Sequence, residues 1–166
     1  MKRKNVAFML LAALLVLPGC GTAYPADPQG TLGNVQGGTL RVGASPNGEW
    51  VRIPAQGSTT RPDTMAGTEA ELVLRFARQL DAEVEWTLGT EQVLADELKH
   101  GGLDLVIGGL DDKTPWSTHA GLTRPYTESR DSRGSLHKHV MLAPMGENAF
   151  LLELDRFLLD AAENPA

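Results

Sequence analysis

Val6 to Leu17 is an unbroken run of twelve apolar residues, preceded by Lys2, Arg3 and Lys4. As a helix this run reaches roughly 18 Å, short of the ~30 Å hydrocarbon core of a bilayer. It therefore predicts the apolar region of a signal peptide rather than a membrane span. Gly21 to Gly38 is rich in Gly, Pro and small polar side chains without an apolar period, which predicts a flexible tether. From Thr39 the patterning becomes regular. Thr39–Ala44 places Leu40 and Val42 on one face of a strand, and Glu83–Leu88 alternates Val84, Trp86 and Leu88 as a second. Between them, Leu72, Val73, Phe76, Ala77 and Leu80 recur at helical spacing, with Thr68 and Glu71 placed as a capping box for a helix Thr68–Leu80. A second helix, Thr90–His100, stops at Gly101-Gly102, and Leu103–Ile107 follows as an apolar strand. A polar, glycine- and proline-punctuated stretch runs on to Tyr126. His139–Ala143 then predicts a last strand, and Asn148–Asp160 a closing helix.

Strands alternating with helices imply an α/β fold whose mostly parallel sheet carries helices on both faces. Ligands of such sheets bind beyond the carboxyl ends of the strands. Here those ends lead into the loops 45–67 and 108–126.

Composition narrows the partners. At 166 residues, 42% hydrophobic, the chain is long enough for one domain with a core. The net charge of −6 already includes the three basic residues of the leader, and no basic run occurs elsewhere, which argues against nucleic acid. The single cysteine excludes an internal disulfide, a Cys-rich zinc site and a redox pair.

That cysteine closes the motif Leu17-Pro18-Gly19-Cys20, which resembles the lipobox of bacterial lipoproteins. The resemblance implies cleavage before Cys20 and acylation of its thiol, anchoring the protein to a membrane on the periplasmic side. Residues 1–20 are then a lipoprotein signal peptide and 21–38 the tether. Gly21 is not the aspartate that signals inner-membrane retention, which in a Gram-negative cell points to the outer membrane. The alternative is an ordinary signal peptide cut further on, with Cys20 incidental.

Over residues 39–126, five segments stand in order: Gly67-Thr-Glu-Ala-Glu-Leu-Val, Ala77-Arg-Gln-Leu, Val84-Glu-Trp, Gly101-Gly-Leu-Asp-Leu-Val-Ile-Gly-Gly-Leu and Leu122-Thr-Arg-Pro-Tyr126. Together they resemble the first lobe of family 3 extracellular solute-binding proteins, the receptors of ABC importers. His139-Val-Met-Leu-Ala-Pro-Met-Gly-Glu-Asn-Ala-Phe-Leu is similar to the return of that chain into lobe one. The resemblance implies one lobe of a type II periplasmic binding protein over 39–162. Its partners would be a small solute and an ABC permease or another envelope protein.

Two departures alter what the resemblance implies. Only TESRDSRGSL separates Tyr126 from His137, where the two-lobed receptors carry a second lobe of about a hundred residues. A single lobe offers an open half-site and binds a small solute weakly on its own. In the receptors a later arginine forks the α-carboxylate of an amino acid. Here Trp116 or Ser117 stands there, and Asp111 and Asp112 precede it. A cation, a polyol or a partner surface suits that chemistry better than an amino acid.

Trp50, Glu69, Gly109, Asp111, Asp112 and Trp116 are accordingly the candidate ligand-binding residues. Each has a plainer reading: the tryptophans seal the core edge, and Asp111-Asp112 forms a solvated turn. His119, His137 and His139 have no recognised metal-ligand spacing, and neither a nucleophile elbow nor a phosphate-cradling loop occurs. No catalytic residue, metal or cofactor is expected. A lipid-anchored accessory to transport or sensing leads; a protein-interaction module derived from a solute receptor is second, and an enzyme third.

Overall fold

A computed structural model describes residues 25–53 and 65–164. The leader, the lipobox with Cys20 and part of the first loop lie outside the described residues. Five strands form the main sheet, in the spatial order β2-β1-β3-β7-β4. They are β1 (Thr39–Ala44), β2 (Glu83–Leu88), β3 (Leu105–Ile107), β4 (Gly121–Leu122) and β7 (Leu142–Ala143). β1 pairs in parallel with β2 and β3, and β7 runs antiparallel to both β3 and β4. β5 (Thr127–Arg130) and β6 (Leu136–His139) form a separate antiparallel hairpin.

Strand alternation sorts the core into two layers. Leu40, Val42 and Ala44 of β1, with Leu105 and Ile107 of β3, face the helices α2 (Thr68–Gln79) and α4 (Asn148–Glu163). There Phe76 meets Phe150 edge-on at 5.9 Å and Phe157 at 5.3 Å between ring centroids. Val106 and Leu142 face the other way, against Leu94, Ala95 and Leu98 of α3 (Glu91–Lys99). Gly43 allows that layer to close: a Cβ there would stand 2.7 Å from Leu103 Cδ1 and 3.0 Å from Leu94 Cδ2.

Three expectations are corrected. The stretch expected as a tether up to Gly38 joins the fold from Pro25 onward: it forms a helix α1 (Thr31–Val35), and Val35 is fully buried in the core. The reason is a reciprocal clasp. The Glu147 carboxylate accepts the Gln29 and Thr31 amides at 2.9 and 3.0 Å, while the Ala26 carbonyl accepts those of Asn148 and Ala149 at 2.8 and 3.1 Å. Each segment thus satisfies the orphan amides of the other's helix.

The capping box at Thr68 does not form. The carbonyls of Glu49 and Trp50 accept the Thr68 and Glu69 amides at 3.0 and 3.1 Å instead. Only glycine permits that approach: Gly67 has φ +113°, and a Cβ would lie 2.5 Å from the Trp50 oxygen. Finally, the strand expected over His139–Ala143 is split between β6 and β7, and the polar connector before it is the hairpin. Asp131 builds its turn, one carboxylate oxygen accepting the Arg133 and Ser135 amides at 2.9 and 2.8 Å.

Candidate functional site

The carboxyl ends of β1 and β3 lie side by side, and the chain leaves them through the 45–53 loop and Gly108-Gly109. Glu69, in the first turn of α2, is fully buried beneath this junction. Its Oε2 accepts the Gly108 and Gly109 amides at 2.8 and 2.9 Å, and its Oε1 accepts the Tyr126 hydroxyl. Burial pushes the Glu69 carboxyl above its ordinary range despite those three donors. Burial, with the carboxylate beside it, pushes the Tyr126 phenol up as well. Glu69 therefore shapes the site from below rather than facing a ligand.

Above it the backbone of Gly109, at φ +67°, lies against the Trp50 indole. A Cβ at this position would fall 2.6 Å from Trp50 Cδ1. The Trp50 indole also packs on the His139 ring, with centroids 4.0 Å apart and planes tilted by 32°. His139 is 4% exposed, and its Nε2 lies 2.7 Å from Ser129 Oγ across the hairpin. Burial holds His139 below the ordinary histidine range. Asn47 completes the junction, its side-chain amide donating to the Gly108 carbonyl at 2.7 Å.

Asp111 pairs with His139 in an isolated β-bridge. Its carboxylate lies 2.8 Å from His137 Nδ1 and also accepts the Lys113 amide at 3.0 Å. The His137 contact holds the Asp111 carboxyl below its ordinary value and raises that of the imidazole. The second ring nitrogen of His137 is 3.7 Å from Asp131 Oδ2. Asp112 is exposed and donates its amide to the Lys138 carbonyl at 2.9 Å. Its carboxylate has no hydrogen-bond partner among the described residues.

The structure thus gathers Trp50, Glu69, Gly109, Asp111 and Asp112 at one pole. Trp116 does not join that cluster: it sits in a short 3-10 helix (Pro115–Thr118), packs on the α3 layer and donates its indole N–H at 3.3 Å to Glu91, in the first turn of α3 beyond the carboxyl end of β2. His119 lies beside it, with 6.4 Å between ring centroids. Among the described residues, no group of three or more His, Cys, Asp or Glu side chains is arranged to hold a metal ion. Sequence reasoning missed Tyr126, Asn47 and Ser129 and gave His139 no stacking role; only the tertiary pairing brings them together. Next to the cluster runs an open groove of about 640 Å³, its walls including Trp50, Leu72, Arg75, Tyr126 and Leu158.

No protein-family model and no curated protein matches the sequence. Solved structures do. The arginine-bound form of domain 1 from TmArgBP is similar over 74% of this chain and 92% of its own, at 19% identity and a TM-score of 0.62. The fold is that of one domain of a periplasmic binding protein. The L-cystine solute receptor of Neisseria gonorrhoeae, unliganded and open, matches over 80% of this chain and 91% of its own, at 10% identity and a TM-score of 0.63. An ancestral cyclohexadienyl dehydratase matches over 85% and 93% respectively, at 12% identity and 0.66. At these identities the likeness is one of fold, and that fold carries both receptors and an enzyme.

Proposed function

We propose that this protein is a non-enzymatic, solute-binding-like lobe of the family 3 type, held in the periplasm by an acylated Cys20 and serving transport or sensing. In a Gram-negative cell the membrane is the outer one. The observation that carries the reading is the hairpin: β5 and β6 stand paired and joined by a short turn where a receptor of this fold would continue into an opposing lobe. Trp50, Gly109, Asp111 and Asp112 then form one wall of a cleft. Asp111 is engaged by His137, which leaves Asp112 as the exposed carboxylate and Trp50 as the aromatic surface. A cationic or polyhydroxylated solute fits that wall better than a free amino acid, whose carboxylate would meet like charge.

Thermal unfolding of the protein beginning at Gly21 tests this, in the presence of polyamines, sugars, amino acids or divalent ions. A solute at a hundred times its dissociation constant stabilises by about 2.7 kcal/mol. Polyamines or polyols are expected to raise the melting temperature and free amino acids are not. A shift with amino acids alone would overturn the assignment of the wall. The groove beside Trp50 favours a second reading, in which the same pole docks a protein and binds none of these solutes; in that case none of them shifts the transition.

A further inference from the structure

We infer that the lobe hangs from its membrane by the pole opposite the candidate site, on a lead of four residues, so that the site faces away from the anchoring bilayer. The inference rests on the proposed acylation of Cys20 and adds an orientation to it. Only Gly21 to Tyr24 separate Cys20 from Pro25, the first described residue. Fully extended, the chain from Cys20 to Pro25 spans roughly 18 Å. Without the clasp the lead would run to Thr39, roughly 50 Å further.

The following segment is fixed along its whole length. Ala26 and Glu147 exchange the caps described above, and Asp27 Oδ2 accepts the Leu32 amide at 2.9 Å. Val35 is fully buried, Gly37 donates to the Leu80 carbonyl at 2.9 Å, and Gly38 accepts the Glu83 amide at 2.9 Å. The lead therefore ends at the amino terminus of α4, beside the starts of β1 and β2. α4 then crosses the whole lobe. Its last turns bring Leu158 and Ala161 to the groove beside Trp50 and Tyr126, at the carboxyl ends of the strands. Sixteen helical residues put about 24 Å between the point of attachment and the candidate site. Strand direction agrees: Thr39 and Glu83 open β1 and β2 at the attached pole, while Gly108, Gly109 and the hairpin lie at the other.

The full-length lipoprotein reconstituted in vesicles tests the inference. With Cys20 acylated, Glu83→Cys and Ser132→Cys each supply one free thiol for a donor dye, at the attached pole and in the hairpin turn respectively. Energy transfer to acceptor lipids is expected to be at least twofold stronger from the Glu83→Cys dye. Equal or reversed transfer on acylated protein would overturn the orientation while leaving the anchor standing. Mass spectrometry showing Cys20 unmodified would overturn both. In the Asp27→Ala, Glu147→Ala double variant the lead lengthens, and transfer from the Glu83→Cys dye is expected to fall toward that of the Ser132→Cys dye. Unchanged transfer in a variant that keeps its circular dichroism would overturn the clasp.

Discussion

The two poles of the sheet are closed by different chemistry. At the amino pole, main-chain caps and one fixed ion pair engage most of the polar groups, while Asp27 Oδ1 is buried without a hydrogen-bond partner among the described residues. Arg41 forks Asp104 at 2.6 and 3.0 Å and also donates to the Gly101 carbonyl at 2.8 Å, while Glu147 and Ala26 cap opposite helices. At the carboxyl pole a buried carboxylate holds two glycine amides in place, and above them lie an indole, two imidazoles and two aspartates. Some of these have ionisation displaced in opposite senses. Asp27 and Glu147 at the amino pole are displaced in opposite senses too, Asp27 raised by burial and Glu147, despite burial, lowered by the amides it accepts. The difference is that those two fix the chain, whereas Trp50, Asp112 and His137 at the carboxyl pole keep part of their surface open to solvent. The binding role proposed above is placed at the second pole, where an open groove runs beside Trp50.

Breaking each pole should show the difference. The largest effect is expected from Glu69→Ala, which leaves the Gly108 and Gly109 amides and the Tyr126 hydroxyl buried without their acceptor. Orphaned donors cost about 1–3 kcal/mol each and do not add fully, so a loss of about 4 kcal/mol in chemical denaturation is expected. Glu69→Gln keeps one acceptor oxygen and should lose about half of that. A loss under 1 kcal/mol for the alanine variant would show that Glu69 does not organise the junction. Glu147→Ala strikes the amino pole. It removes the acceptor of two amides at the start of α1, an expected cost of about 2 kcal/mol, with hydrogen exchange accelerated at Gln29 and Thr31 but not at Gly109.

The smallest effect is the most specific to the carboxyl pole. His137 is raised by Asp111, so its contribution is fully present below the ordinary histidine value near 6.5 and is lost as pH rises through the raised one. His139 is lowered by burial, so its contribution is present above that value and is lost as pH falls through the depressed one. His137→Gln should therefore remove a decline in stability on the alkaline side and, because the same contact holds the Asp111 carboxyl down, also the part of the acid-side loss that Asp111 carries. Titration of the two imidazoles by NMR should give midpoints on opposite sides of the ordinary value. Midpoints in the reverse order would sink the assignment.

How much of this was legible depended on where each element finds its partners. β1 and β2 have the expected bounds because apolar side chains recur at every second position within six residues, and α2 and α4 carry a helical apolar stripe. α1 has five residues, too few for a period, and its cap comes from Glu147, 116 positions away. β5 reads Thr-Glu-Ser-Arg, polar on both faces, so only main-chain pairing with β6 defines it. The site divides in the same way. Trp50, Gly109 and Asp111 lie on loops that strand order alone brings together, whereas the partner of Trp50, His139, arrives through the hairpin. Trp116 was placed by loop membership, and its contact with α3 has no signal in the local sequence.

The turn from Asp131 to Ser135 has a consequence for how such a molecule can be altered. Arg130 and Leu136 are register partners on adjacent antiparallel strands, so the chain departs and re-enters within about 5 Å. A foreign module with neighbouring termini could be spliced between them without asking the remainder to rearrange. Excising one would likewise leave no gap to bridge. Gain and loss of an entire structural unit are here a matter of a few peptide bonds.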